Sequence, residues 1–317
     1  LLLNSFHFFS TDTIIKWLIP LGLFPLISNS LFMLYIAYFQ SQKEIKLLSS
    51  LTVYNKLLSI VGVIAFAYFL GIKGYYIAYN LSFIMMLVVV FVFIKKTVKF
   101  SKIIDIRRKL KEHWEYARAN LMAGVIAESS ALVDIILLSF LIDDMQEIGF
   151  YSFALTLTIA LRIFPATVQQ ITIPYFSSFT QKKEEFLKIF NKYNMLLYIV
   201  VFGSLILFLI FMPLVIEFFY GKKFDNSYRY LIFLSIGWSI RNLNQLQSGA
   251  IFGLGKIKYN AFTVFYVLIG NLIVYPIAIY NFGIMGAAYA SISSGIIFWI
   301  ASSYYFKKAV KESAWNV

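Results

Sequence analysis

Four ionisable residues stand in stretches that are otherwise apolar. Glu128 and Asp134 lie in "AGVIAESSALVDIILL" (123–138), Arg162 in "ALTLTIALRIFPATVQQ" (154–170) and Arg241 in "LSIGWSIRNLNQLQSG" (234–249). A guanidinium is a permanently charged planar fork that can pair with two oxygens of one anion. A carboxylate inside a membrane can carry a proton or bind a sodium ion, or it can pair with an arginine and keep it in the bundle. Bond-making chemistry is not indicated. The chain has no cysteine and two histidines, His7 and His113, both near segment ends. That excludes thiol chemistry and the usual histidine and cysteine metal sites. Neither a nucleophile motif nor a Gly-rich phosphate loop occurs. No catalytic residue and no metal site are therefore assigned, and the chemistry expected is binding.

The elements carrying these groups must be helices that cross a bilayer. Hydrophobic residues make up 60% of the chain and charged ones 14%, against about 25% charged in a soluble domain. Nine apolar segments recur, at 14–39, 51–70, 74–94, 118–142, 150–174, 193–217, 229–253, 259–281 and 286–306. Each is near the roughly 20 residues needed to cross the hydrocarbon core. The alternation that a transmembrane barrel needs is absent. The expected fold is an all-α polytopic membrane protein. The net charge of +13 falls mainly in alternate loops, as at Lys95, Lys96, Lys182, Lys183, Lys307 and Lys308. It indicates cytoplasmic loops and anionic headgroups rather than nucleic acid, and places the C-terminus in the cytoplasm. In the longest loop, 95–117, Ile103, Ile106, Leu110 and Trp114 fall at helical spacing. They suggest an amphipathic helix on the inner surface, with a solvated basic linker as the alternative.

On helical projection of 118–142, Asn120, Ala123, Gly124, Ala127, Glu128, Ser130, Ala131 and Asp134 share one side. A charge at mid-helix costs about 2.5–3.5 kcal/mol on insertion scales, so both acids are expected to point inward. Tyr151, Arg162 and Gln169 share a face of 150–174. Arg241, Asn244 and Gln245 share one of 229–253. Gly124 and Gly270 are expected to be packing glycines.

Sliding the chain by 212 residues (283 − 71) brings "GIKG" (71–74) onto "GIMG" (283–286) and the Lys95–Lys96 pair onto Lys307–Lys308. Asn29 then falls on Arg241. The last three segments repeat the first three in the same orientation, which implies two lobes related by an axis along the membrane normal. The middle three segments have no partner here. The expectation is a twelve-helix protein whose first three helices precede residue 1. Residues 1–94 would be the rest of the N-terminal lobe, 95–117 a linker, and 118–317 the C-terminal lobe.

Three stretches carry a family resemblance: "YIAYFQSQKEIK" (35–46), "EIGFYSFALTLTIALRIFPATVQQITIPYFSSF" (147–179), and "GLGKIKYN" with "NFGIMGAAYASISS" (253–294). The chain resembles the polysaccharide (O-antigen type) flippases of the multidrug/oligosaccharidyl-lipid/polysaccharide exporter superfamily. The resemblance implies two pseudo-symmetric lobes around a central cavity, as in multidrug exporters of that superfamily, in a bacterial cytoplasmic membrane. It implies translocation of an undecaprenyl-diphosphate-linked oligosaccharide to the outer leaflet by alternating access, coupled to a proton or sodium ion, with no other cofactor. Under it, Arg162, Arg241, Asn29, Asn120, Gln169, Asn244 and Gln245 would bind diphosphate and glycan, and Glu128 or Asp134 the coupling ion. The partners implied are lipid-linked oligosaccharide, membrane lipids, a polysaccharide polymerase and a chain-length regulator. The alternatives are a drug or small-cation exporter of the same superfamily, whose site would favour acids and aromatics, and a membrane glycan polymerase. The outer loops are too short to hold the chemistry of the last.

Overall fold

The structure, a computed structural model, describes residues 29–42, 44–97, 106–178, 182–313 and 315, and every regular element among them is helical. The chain divides into two compact units, with the boundary after Ile104.

The first unit contains α1 (29–41) and α2 (Ile45–Thr97). Helical geometry in α2 is broken at Gly71, at φ 61° and ψ −142°. This is a left-handed backbone that a side chain disfavours. Leu51 before the break and Phe83 after it belong to one cluster with Phe32, Ile36 and Phe39 of α1, so the chain folds back at Gly71.

The second unit runs through α3 (Ile106–Leu141), α4 (Met145–Thr158), a 3-10 turn (Ile159–Arg162), α5 (Ile163–Ser178), α6 (Lys183–Tyr220), a second 3-10 turn (Lys222–Phe224), α7 (Ser227–Asn242), α8 (Gln245–Gly253) and α9 (Lys258–Glu312). The acidic turn "DDMQE" starts α4: Asp144 caps the helix by accepting from the N–H groups of Gln146 and Glu147 at 3.1 and 3.0 Å. In α9 the ring of Tyr259 stacks on Tyr305 at 5.4 Å. This helix too is therefore a hairpin, folded at Gly283.

The 212-residue repeat is present in the backbone. Gly283 has φ 58° and ψ −142°, matching Gly71. A Cβ at Gly74 would lie 1.9 Å from the carbonyl oxygen of Phe66, and one at Gly286 would lie 1.9 Å from that of Ala278. Before each hairpin the same two hydrogen bonds recur. Gln42 N–H donates to Tyr38 and Glu44 N–H to Phe39. The repeat equivalents are Leu254 to Ala250 and Lys256 to Ile251.

Among the described residues, five helical stretches are long and apolar enough to cross a membrane: Ser49–Gly71, Asn120–Leu141, Met145–Ser178, Lys183–Tyr220 and Lys258–Glu312. Within Lys183–Tyr220 the most apolar 18-residue window has a mean hydropathy of 3.0, and only 11% of that window is buried. An apolar helix turned outward requires hydrocarbon as its solvent, and the chain is a multi-pass membrane protein.

Of the nine expected segments, 51–70 and 74–94 are the two arms of the α2 hairpin, and 150–174 is divided into α4, a 3-10 turn and α5. Segment 14–39 lies mostly outside the described residues. Segments 259–281 and 286–306 are the two arms of one α9 hairpin. Segment 229–253 is two short helices, α7 and α8, because helical geometry lapses at Asn244 (φ −105°, ψ 11°). The basic loop is helical from Ile106 and continuous with α3. Trp114 is exposed there, and Ile103 lies outside the described residues.

Candidate functional site

The site of the second unit begins with a proline. Pro165 has no N–H to give the carbonyl of Leu161, four residues earlier, and the chain runs as a 3-10 turn over Ile159–Arg162. The freed oxygen is not left bare in an apolar interior. Asn242, buried at the end of α7, donates its Nδ2 to it at 3.2 Å. The same device recurs at Pro213, where the hydroxyl of Tyr228 donates to the carbonyl of Leu209 at 3.1 Å. Asn242→Leu should strand the Leu161 carbonyl. The cost expected is about 1–3 kcal/mol, read as a lower unfolding temperature in detergent with the helical content of the folded protein unchanged.

Helix α7 then meets the second arm of α9 backbone to backbone. A Cβ at Gly237 would fall 2.6 Å from the Ser291 backbone, and one at Gly295 would fall 2.5 Å from the Gly237 carbonyl oxygen. Beside this close approach, with α3 opposite, lies a partly open cavity of about 30 Å³ lined by Ser130, Asp134, Arg241, Asn271, Tyr275 and Ser294 among others. It has room for about one water or one small cation.

Asp134 is only 4% exposed. One carboxylate oxygen accepts from the hydroxyl of Tyr151 at 2.6 Å, and the other accepts from the N–H of Ile135 at 2.8 Å. Across the cavity, Asn271 Nδ2 donates to the carbonyl and hydroxyl oxygens of Ser130 at 3.1 and 2.9 Å. That fixes the amide with its Oδ1 buried and without a donor. Asp134 and Asn271 thus both line the ion-sized cavity.

Arg241 sits on the same cavity wall, with its guanidinium 5.5 Å from the ring centroid of Trp238 and 4.9 Å from that of Phe298. Such stacking favours a cation. Among the described residues it makes no ion pair and no hydrogen bond to a carboxylate. Glu128 and Arg162 are close enough to act on it electrostatically.

The structure separates residues that helical projection grouped. Asp134 is buried within its unit, whereas Glu128 is exposed on the surface of that unit, as are Asn120 and Arg162. The projection gives the direction a residue faces but not the depth of packing along the axis. Only the second half of the polar stripe on α3 lies against α9. Gln169 and Gln245 are brought together, Gln245 Nε2 donating to Gln169 Oε1 at 2.7 Å. Asn244 is fully buried and spends its amide on the Trp299 carbonyl and the Ser303 hydroxyl, at 2.8 and 3.1 Å. It ties α8 to α9 rather than facing open space. Asn29 begins α1 in the first unit, half-buried. Gly270 packs against Ile297 as expected, but a Cβ on Gly124 would meet nothing within 4 Å. The projection missed Asn271, Tyr275 and Asn242. The signal available for the first two is weak: Asn271 is an isolated amide in "LIGNLIVYPIAIY", a segment with no charged residue.

Comparison with known proteins bears on this arrangement. Residues 6–229 match the family model described as polysaccharide biosynthesis protein. A candidate O-antigen transporter of Shigella flexneri is 28% identical over 144 residues, covering 45% of this chain and 34% of that protein. The chain thus spans about a third of the length of this curated relative. Among solved structures, a point mutant of the Vibrio cholerae MATE transporter VcmN superposes with a TM-score of 0.80 at 14% identity, over 95% of this chain and 72% of that one. The lipid II flippase MurJ, in an inward closed conformation, superposes with a TM-score of 0.58 at 19% identity, over 81% and 57% of the two chains. The fold is that of these transporters.

Proposed function

Since this chain belongs to the polysaccharide biosynthesis protein family, we propose that it moves a polyprenyl-diphosphate-linked oligosaccharide from the inner to the outer leaflet of a bacterial cytoplasmic membrane. The observation that carries this reading is Arg241. A half-buried cation in a membrane span, with no ion pair or carboxylate hydrogen bond among the described residues, is costly, and its aromatic bed orients the fork without neutralising it. A diphosphate supplies the missing charge and the oxygen pairs that a guanidinium recognises. Arg162 adds a second cation for the same anion. Asn120 and the Gln169–Gln245 pair offer amides to sugar hydroxyls. Similarity to an O-antigen transporter candidate in sequence and to a lipid II flippase in fold supports this substrate class.

Of the two acids, Asp134 is the coupling residue in this reading. It lines the ion-sized cavity with Asn271, whose amide oxygen lacks a donor. Two oxygens of that kind suit a sodium ion as co-substrate, and a proton would need Asp134 alone. Transport would follow alternating access. No step makes or breaks a covalent bond.

The test uses the full gene product in sealed vesicles. A lipid-linked oligosaccharide is placed in one leaflet, and its arrival in the other is followed with and without an imposed sodium or pH gradient. Protein-dependent transfer, accelerated by a gradient, is expected. Efflux of small organic cations with no lipid transfer would instead assign the chain to drug export, the alternative within the same superfamily.

A further inference from the structure

Two neighbouring spans of the second unit break at one level. Between α4 and α5 the chain runs as a 3-10 turn over Ile159–Arg162, and between α7 and α8 helical geometry lapses at Asn244. The two breaks are bonded to each other, Asn242 donating to the Leu161 carbonyl at 3.2 Å. Arg162 and Arg241 stand beside them, in the last turns of the elements that end there.

Packing changes at the same level. Helix α4 lies along α7 and α5 along α8, whereas among the described residues α4 and α8 barely meet, and neither do α5 and α7. The apolar core is divided there too. One buried cluster, on the side of Gly283, holds Tyr151, Ala154, Leu161, Leu234 and Ile284; a second, on the side of Lys258, holds Phe176, Leu246, Ala250, Ile251 and Phe306. Asn242, Asn244 and Gln247, all buried, lie between the two along the chain.

The contacts within and across this boundary differ in kind. Helices α5 and α8 are locked to each other by close approach. A Cβ at Gly249 would fall 2.9 Å from the Gln169 side chain, and one at Gly253 would fall 2.6 Å from Phe176. The Gln245–Gln169 bond adds to this pair. The links from α8 to the second arm of α9 are polar instead. Asn244 donates to Trp299 and Ser303, and Gln247 Oε1 accepts from the Ser302 hydroxyl at 3.0 Å. Such bonds contribute only about 0.5–1.5 kcal/mol net each, because another partner or water can replace them. Asn244 also keeps a buried Oδ1 without a donor, so the joint holds an acceptor for a second bonding pattern. The apolar contacts of α5 with α6 are ring on ring, Phe176 lying 5.6 Å from Phe186 and 6.1 Å from Phe190, and packed side-chain surfaces of this kind slide in shear motions.

We propose that α5 and α8 form one moving body inside the second unit, which swings about the Leu161–Asn242 pair while α4 and α7 stay fixed on α9. The swing carries Gln169 and Gln245 relative to Arg162 and Arg241, and so opens or closes the polar site from within this unit. The hinge stands on packing and backbone geometry; its use in transport rests on the flippase reading.

Spin-labelled cysteines in the full gene product, held in lipid nanodiscs, test it. One pair, Ser178→Cys with Lys311→Cys, spans the joint. A control pair, Gln146→Cys with Asn281→Cys, lies on the side of Gly283, and all four positions are exposed. The first pair should show two distance populations, whose ratio shifts when a lipid-linked oligosaccharide is added. The control pair should show one, unchanged. Pro165→Ala supplies the missing N–H to Leu161 and should merge the two populations into one. In the vesicle assay the same variant should transfer lipid about tenfold more slowly, the equivalent of about 1.4 kcal/mol on a gating step. A single unchanged distance across the joint in the wild type, or two populations that persist in Pro165→Ala, would overturn the hinge and leave the flippase reading intact. Two populations in a wild type that transfers no lipid-linked oligosaccharide would keep the hinge and overturn the flippase reading.

Discussion

Arg241→Ala is expected to reduce transbilayer transfer roughly 100-fold, the equivalent of about 3 kcal/mol for charge-assisted hydrogen bonds to a bound anion. Arg241→Lys should recover little of it. The ammonium keeps the charge but loses the planar fork and the fit over Trp238 and Phe298. A second measurement separates this role from a structural one. A guanidinium that held the bundle together would destabilise the protein when removed. A half-buried guanidinium that makes no ion pair among the described residues is a cost to the empty protein, so Arg241→Met should leave the unfolding temperature in detergent unchanged or higher. Loss of transfer together with retained or increased stability is the expected pair. A fall of several degrees in the unfolding temperature would return Arg241 to a packing role and remove the main support for the diphosphate site. Arg162→Ala should be milder, because Arg162 is exposed on its unit and an exposed charge holds an anion against water and salt.

How far this site could be anticipated depends on the kind of information each feature needs. The repeat was legible because it is a matter of spacing. "GIKG" and "GIMG" mark two turns whose glycines have the same backbone angles. The chemistry of Asp134 and Arg241 was legible because a charge in an apolar run must be satisfied or used. The separation of Asp134 from Glu128 was not, since it depends on where α9 crosses α3, a tertiary contact. The break near Arg162 could be anticipated from Pro165, but its partner Asn242 lies 81 positions away. Asn244 looked like a site amide from its helical face. Its place at the joint between α7 and α8, where the helical projection itself no longer applies, turns it toward α9. Asn271 was not legible because its segment holds no charged residue to mark a polar face, and its place against Ser130 is a contact between α9 and α3.

Asp134→Asn should abolish the response of transfer to an imposed ion gradient while preserving the fold. The substitution keeps the shape, and an amide oxygen can still accept from Tyr151 or from the Ile135 N–H. The charge that would attract the ion is lost. A coupling energy of about 1–3 kcal/mol, or roughly 5–150-fold in linked affinity, is therefore expected to vanish, leaving slow transfer down the substrate's own gradient. Glu128→Gln should keep the gradient response, since Glu128 does not line the cavity. The nature of the ion follows from a third variant. Asn271→Leu removes the orphaned oxygen and the two bonds to Ser130, but leaves Asp134 and Tyr151 in place. A sodium ion needs several oxygens around it, so Asn271→Leu should uncouple transport from a sodium gradient as fully as Asp134→Asn does. A proton needs the carboxylate alone, and a pH gradient would still drive Asn271→Leu. If Asp134→Asn responds to both gradients as the wild type does, the cavity holds no coupling ion and Asp134 serves only to anchor Tyr151.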